Sequence, residues 1–138
     1  MAHFGGIQQI RWVASQQRAL NALKKNYGST CHHLENIASS STKNDAAKAK
    51  GLLRRLKSPK FLTFLMFMID FTDVIGYLSL SFQADDLIMV DVLPMLENVL
   101  TSLVEMKTVP GKCVSSLTKG HQYGDVILSG EVKPRPYS

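Results

Sequence analysis

An all-α domain is the fold class this sequence predicts: a helical bundle of four to five helices with a short irregular tail. Three observations carry it. The chain has 138 residues and is 45% hydrophobic, which suits one core and buries roughly two-thirds of the unfolded surface. Apolar residues recur with a period near 3.6 in one segment after another. Breaks rich in glycine, proline and serine fall between those segments, at Gly28, Ser39–Thr42, Ser58-Pro59 and Pro110-Gly111. With 20% charged residues the chain is not of a wholly disordered class.

The first helix is expected from Trp12 to Tyr27, with Trp12, Leu20, Leu23 and Tyr27 on one side. Gly28 should end it as a C-terminal glycine. Ser29 or Thr30 then caps a short helix through Leu34 and Ile37, and Ser39–Thr42 forms a loop. A third helix, Ala46 to Lys57, has Asn44 or Asp45 as its N-cap; Ala49, Leu52, Leu53 and Leu56 make its apolar stripe. Ser58-Pro59 ends it, because the residue before proline is pushed out of the helical region.

Lys60 to Gln83 is the most apolar segment, with Thr63, Asp70, Tyr77 and Ser81 near one stripe and Asp73 beside it. A helix apolar around most of its girth is a core helix or a membrane span. Residues 61–82 are long enough to cross a bilayer. Asp70 and Asp73 near the middle each cost about 2.5–3.5 kcal/mol on insertion, which favours the core helix. Ala84-Asp85-Asp86 breaks the run, and Asp85 and Asp86 precede or cap the last long helix. That helix starts near Asp91, since Pro94 suits only a first turn, and runs to Lys107. Val92, Leu96, Val99 and Leu103 form its stripe, widened by Leu93, Leu100 and Val104. The tail holds a short helix near Val114–Thr118 and an extended piece at Asp125–Leu128. The expected packing sets the central helix between the basic third helix and the last long one.

Charge is unevenly distributed. Residues 1–60 hold eleven Lys or Arg against Glu35 and Asp45; residues 61–110 hold Lys107 against seven acids. The tail from Gly111 adds two positive charges, for a net +5. An internal match between the halves is the simpler reading, and an acidic partner for the basic half the sharper one. Two cysteines, Cys31 and Cys113, make no disulfide framework, and Met1–Gly6 has no charged region followed by an apolar run, so the chain reads as intracellular.

Catalytic chemistry finds little support. Asp70 and Asp73 lack a third metal ligand and read as partners for Arg54, Arg55 or Arg18. Cys31, His32 and His33 lack zinc spacing; a buried thiol beside surface histidines is expected. No G-x-x-x-x-G-K-[ST] loop and no nucleophile–base set occurs, so no catalytic, metal or cofactor residue is assigned and no small-molecule substrate is expected. The candidate binding residues are Lys48, Lys50, Arg54, Arg55, Lys57 and Lys60, which could follow a DNA backbone without sequence specificity.

The order of landmarks carries a further indication. Arg11-Trp12-Val13-Ala14-Ser15 is followed by Arg18-Ala19-Leu20, His33-Leu34-Glu35 and Ala47-Lys48-Ala49-Lys50-Gly51-Leu52-Leu53. Then come Leu56-Lys57-Ser58 with Lys60-Phe61, and Leu78-Ser79-Leu80-Ser81-Phe82-Gln83 with Asp85-Asp86-Leu87. This series resembles vertebrate proteins derived from hAT-type transposases. The resemblance implies that residues 1–111 correspond to the helical insertion of an RNase H-like domain, with 112–138 a short tail. It also implies that the metal-holding acids lie outside the chain. The function it implies is a non-catalytic, nuclear helical module making protein–protein, self-associating or weak DNA contacts. The alternatives are a nuclease fragment whose flanking sequence supplies the metal site, and a membrane-associated helix at 61–82.

Overall fold

The computed structural model describes residues 3–40, 42–83 and 88–133. Helices α1 (His3–Lys25), α2 (Tyr27–Ser40), α3 (Lys43–Leu56), α4 (Pro59–Ser81) and α5 (Met89–Glu105) are followed by the single turn α6 (Lys112–Ser115). Strands β1 (Gly120–Tyr123) and β2 (Val126–Val132) close the described chain as an antiparallel hairpin. The fold class is therefore all-α, five long helices with a short tail, and that tail carries a helical turn and a two-stranded sheet.

One core joins α2, α4 and the tail. Tyr27 and Cys31 of α2 pack with Leu62, Leu65, Met66 and Ile69 of α4, and with Val114, Leu117, Val126, Leu128 and Val132 from the tail. α4 is central because its apolar girth offers a surface to several neighbours at once: α1, α5, α6 and β2 all pack on it. It is long and apolar enough to cross a membrane by length and composition. Its main partner is α1, whereas the basic helix α3 packs mainly on α2. The expected sandwich of α4 between α3 and α5 is thus replaced by two helix pairs. The reason lies in α3's narrow apolar stripe, Ala49, Leu53 and Leu56, which one neighbour suffices to cover.

Several boundaries move for local reasons. α1 ends at Lys25 and α2 begins at Tyr27, so Gly28 lies inside α2 rather than stopping α1. The bend is slight, since Asn26 N–H still reaches Ala22 O and Thr30 N–H reaches Asn26 O. Gly28 has a different use: its missing side chain leaves space for the Asp125 carboxylate, which a Cβ there would push aside. α2 continues to Ser40, where Ser39 and Ser40 hydroxyls donate to Glu35 O and Asn36 O, absorbing half of the expected loop. Ser41 lies outside the described residues, as do Ala84, Asp85, Asp86 and Leu87. The α3 N-cap is Thr42, neither Asn44 nor Asp45; its hydroxyl donates to the Asp45 carboxylate, which sits in the first turn where the helix dipole favours it. α5 starts at Met89, which places Pro94 in its second turn. The missing N–H costs one bond near the helix start, where the ladder is still forming.

The hairpin was only half expected. Gly124 has φ +61°, and a two-residue loop with glycine first matches the strand twist. Ser129 N–H donates to Lys57 O at 3.0 Å, fastening β2 to the α3–α4 junction.

Asp70 completes the fold. Its Oδ1 accepts Cys113 N–H at 2.8 Å and its Oδ2 accepts Val114 N–H at 3.0 Å. The N-cap of α6 is Gly111, which has no side chain to do this. A carboxylate from another helix therefore caps α6. Among the described residues Asp70 and Asp73 pair with no arginine: Asp70 serves backbone, and Asp73 accepts from the Gln17 amide at 2.9 Å. Replacing Asp70→Ala should cost about 1–3 kcal/mol, since two buried N–H groups lose their acceptor, read as a lowered urea midpoint. A midpoint equal to that of the native chain would show the cap to be idle.

Candidate functional site

The six predicted cations do not form one patch. At 100° per residue, Lys50 and Arg54 fall on one row of α3 and Lys48 and Arg55 on another, with Ala47 and Gly51 between them. All four cations are exposed, and a Cβ on Gly51 would meet open space. Lys57 is instead bound to Glu35 at 2.5 Å, and Lys60 lies on α4 at the rim of a groove. The site on α3 is thus four residues, Lys48, Lys50, Arg54 and Arg55, flanking a path of small side chains. An internal match of charge across the halves is not observed. Among the described residues the ion pairs join His32 to Glu35 and Asp125, Lys57 to Glu35, and Lys119 to Glu131. No described acid of residues 61–110 takes part, and the four α3 cations have no ion-pair partner among the described residues.

A second surface escaped sequence reasoning. Val99 is the buried residue of α5, facing α4. Leu93, Leu100 and Val104, expected to widen its buried stripe, are each 60% or more exposed. They lie on the side of the helix turned away from α4, and Met89 and Leu96 continue the row. Where α4 and α5 meet, Phe64, Phe67, Leu103 and Met106 floor a groove of about 670 Å³. Lys60, Lys107 and Lys133 stand at its rim with Glu131, and Glu131 lies 3.7 Å from Lys119. The signal was present in the sequence as excess width: a stripe seven residues wide on a helix with one neighbour.

The titratable groups read as structural. Burial pushes the Cys31 and Cys113 thiols up, which keeps them protonated and weakly nucleophilic. Burial also raises the Tyr27 phenol, whose O–H donates to Leu56 O at 2.5 Å. His32 and His33 are exposed, as expected beside a buried Cys31. No group of three or more His, Cys, Asp or Glu fit to hold a metal occurs among the described residues.

His32 clasps the hairpin to α2, its Nε2 lying 2.6 Å from Asp125 and its Nδ1 3.3 Å from Glu35. Hydrogen bonding to Asp125, then to Glu35, raises the His32 pKa, so the folded chain favours the charged ring. Lys57, then His32, lowers Glu35, and His32 lowers Asp125. The imidazolium contribution is complete below the ordinary histidine value of about 6.5 and fades as pH rises through the raised one. The carboxylate contribution is present above their ordinary values near 4 and is lost as pH falls through the lowered ones. The clasp should therefore be tightest between about pH 4.5 and 6.5. In an NMR titration the His32 midpoint should fall in Asp125→Asn; an unmoved midpoint would mean that the contact is not made in solution.

No family model matches the chain, and no solved structure matches it.

Proposed function

We propose that the chain is a non-catalytic helical module that works through protein–protein contact, derived from a hAT-type transposase and acting in the nucleus. The observation that carries this reading is the uncovered apolar row of α5. Met89, Leu93, Leu96, Leu100 and Leu103 follow one another at spacings of 4, 3, 4 and 3 residues, the seam of a two-helix contact. A row of leucines with 36–63% exposure at its middle three positions is a surface that a partner helix would cover. The non-catalytic part of the reading rests on the resemblance, which implies that the nuclease acids lie outside the chain.

The α3 face favours a second activity, weak and sequence-independent contact with the DNA backbone. Four cations with no ion-pair partner among the described residues flank the small side chains of Ala47 and Gly51, where a phosphate chain could approach. No aromatic side chain stands among them for bases to stack on, so the contact is electrostatic.

Two measurements test these activities separately. Leu96→Asp with Leu100→Asp should abolish binding of a hydrophobic dye while costing under about 1 kcal/mol in urea unfolding, the range for exposed positions. A loss of several kcal/mol would show the row to be core, and the contact reading would fall. In fluorescence anisotropy with duplex DNA, log affinity should fall with log salt at a slope of about −3 to −4, the value for four phosphate contacts. Replacing Lys48, Lys50, Arg54 and Arg55 with Gln should bring that slope towards zero. A flat response in the native chain would remove the DNA activity and leave the protein contact.

A further inference from the structure

We infer that the partner covering α5 is a second copy of this chain, paired antiparallel along α5 so that each copy's leucines seat in the other's groove. The inference rests on the protein-contact reading and names its occupant. Three features of one face support it together.

The first is shape. α5 has 17 residues and is therefore about 25 Å long. Its apolar row projects at the N-terminal half, through Leu93 and Leu96, while the groove opens at the C-terminal end between Phe64, Phe67, Leu103 and Met106. A projection at one end and a recess at the other cannot satisfy each other within a chain. Turned end for end, two copies present projection to recess twice, which is the isologous arrangement of a two-fold dimer.

The second is charge. Glu97 is the acid that borders the leucine row, next to Leu96 and four residues after Leu93. Lys107 stands on the groove rim. Neither has an ion-pair partner among the described residues. When Leu93 and Leu96 enter the partner's groove, Glu97 comes to the lysine rim there, and the pairing is repeated by symmetry. In that register Leu100, 60% exposed, lies at the dyad and faces its own counterpart in the other copy.

The third is the unsuitability of other occupants. A phosphate chain would need cations along the whole row, but they stand at one end only. A small amphiphile would fill the groove yet leave Leu93, Leu96 and Leu100 in water.

The test is sedimentation equilibrium of the purified full chain over a range of concentrations, with circular dichroism confirming that each variant folds. The native chain should dimerise. Glu97→Lys alone and Lys107→Glu alone should each weaken dimerisation at least tenfold, and the double variant should return to within about threefold of native affinity. That rescue separates the proposed pairing from non-specific clustering of apolar surface. A dimer indifferent to both single changes, or not rescued by the double change, would overturn the pairing. A chain monomeric at every concentration would also overturn it. If the monomer still bound the hydrophobic dye and lost it in Leu96→Asp with Leu100→Asp, the contact reading would stand with a different protein as partner. If no dye bound, both would fall.

Discussion

A carboxylate in the middle of the most apolar helix organises this structure. Asp70 sits 7% exposed on α4, among residues that exclude water, and both its oxygens are occupied by backbone N–H groups at the start of α6. A buried charge without partners would cost several kcal/mol, so its position and that of α6 are fixed together. Gly111 is required next to it, since any Cβ there would overlap the Asp70 side chain. Once α6 is placed, Val114 and Leu117 enter the core and the chain is delivered to the hairpin, which adds Val126, Leu128 and Val132. The tail is thereby part of the core.

That arrangement also decides which surface stays uncovered. α4 gives one side to α1, another to α6 and β2, and the remaining edge to α5. α5 therefore touches the body through one stripe, centred on Val99, although its sequence supplies apolar residues for a wider one. The exposed leucines are a consequence of how α4 is shared.

Sequence periodicity revealed the five long helices because each has an apolar stripe of period 3.6 bounded by a break; the Ser58-Pro59 junction holds as expected, with proline at the first position of α4. It failed where the determining partner is distant in sequence. Gly28 reads as a stop signal, but its lack of a side chain serves Asp125, 97 positions later. Asp70 reads as an ion-pair partner, and nothing near it predicts that α6 needs a cap. Strand β1, Gly-His-Gln-Tyr, has no alternation to detect and exists because β2 pairs with it. The candidate site divides the same way. The α3 cations were legible, apart from Lys57, which Glu35 claims, and Lys60, which the helix break assigns to α4. The groove was not legible, since it belongs to no single helix.

The charge asymmetry takes a different meaning from this division. Eleven cations in residues 1–60 and seven acids in residues 61–110 could have been expected to meet, yet no described ion pair joins them. α3 carries its cations on the side away from α2, and α5 carries Glu97 on the side away from α4. Each helix is pinned by its apolar stripe to a different neighbour, so the charges that the stripes exclude end up on separate faces. A contact made through α5 therefore leaves the α3 cations free, and the two surfaces can be occupied at the same time. Pairing two copies through α5 would double the number of such cationic faces on one particle. Affinity for an extended anion would then rise through the second attachment, without any new contact being made within either copy.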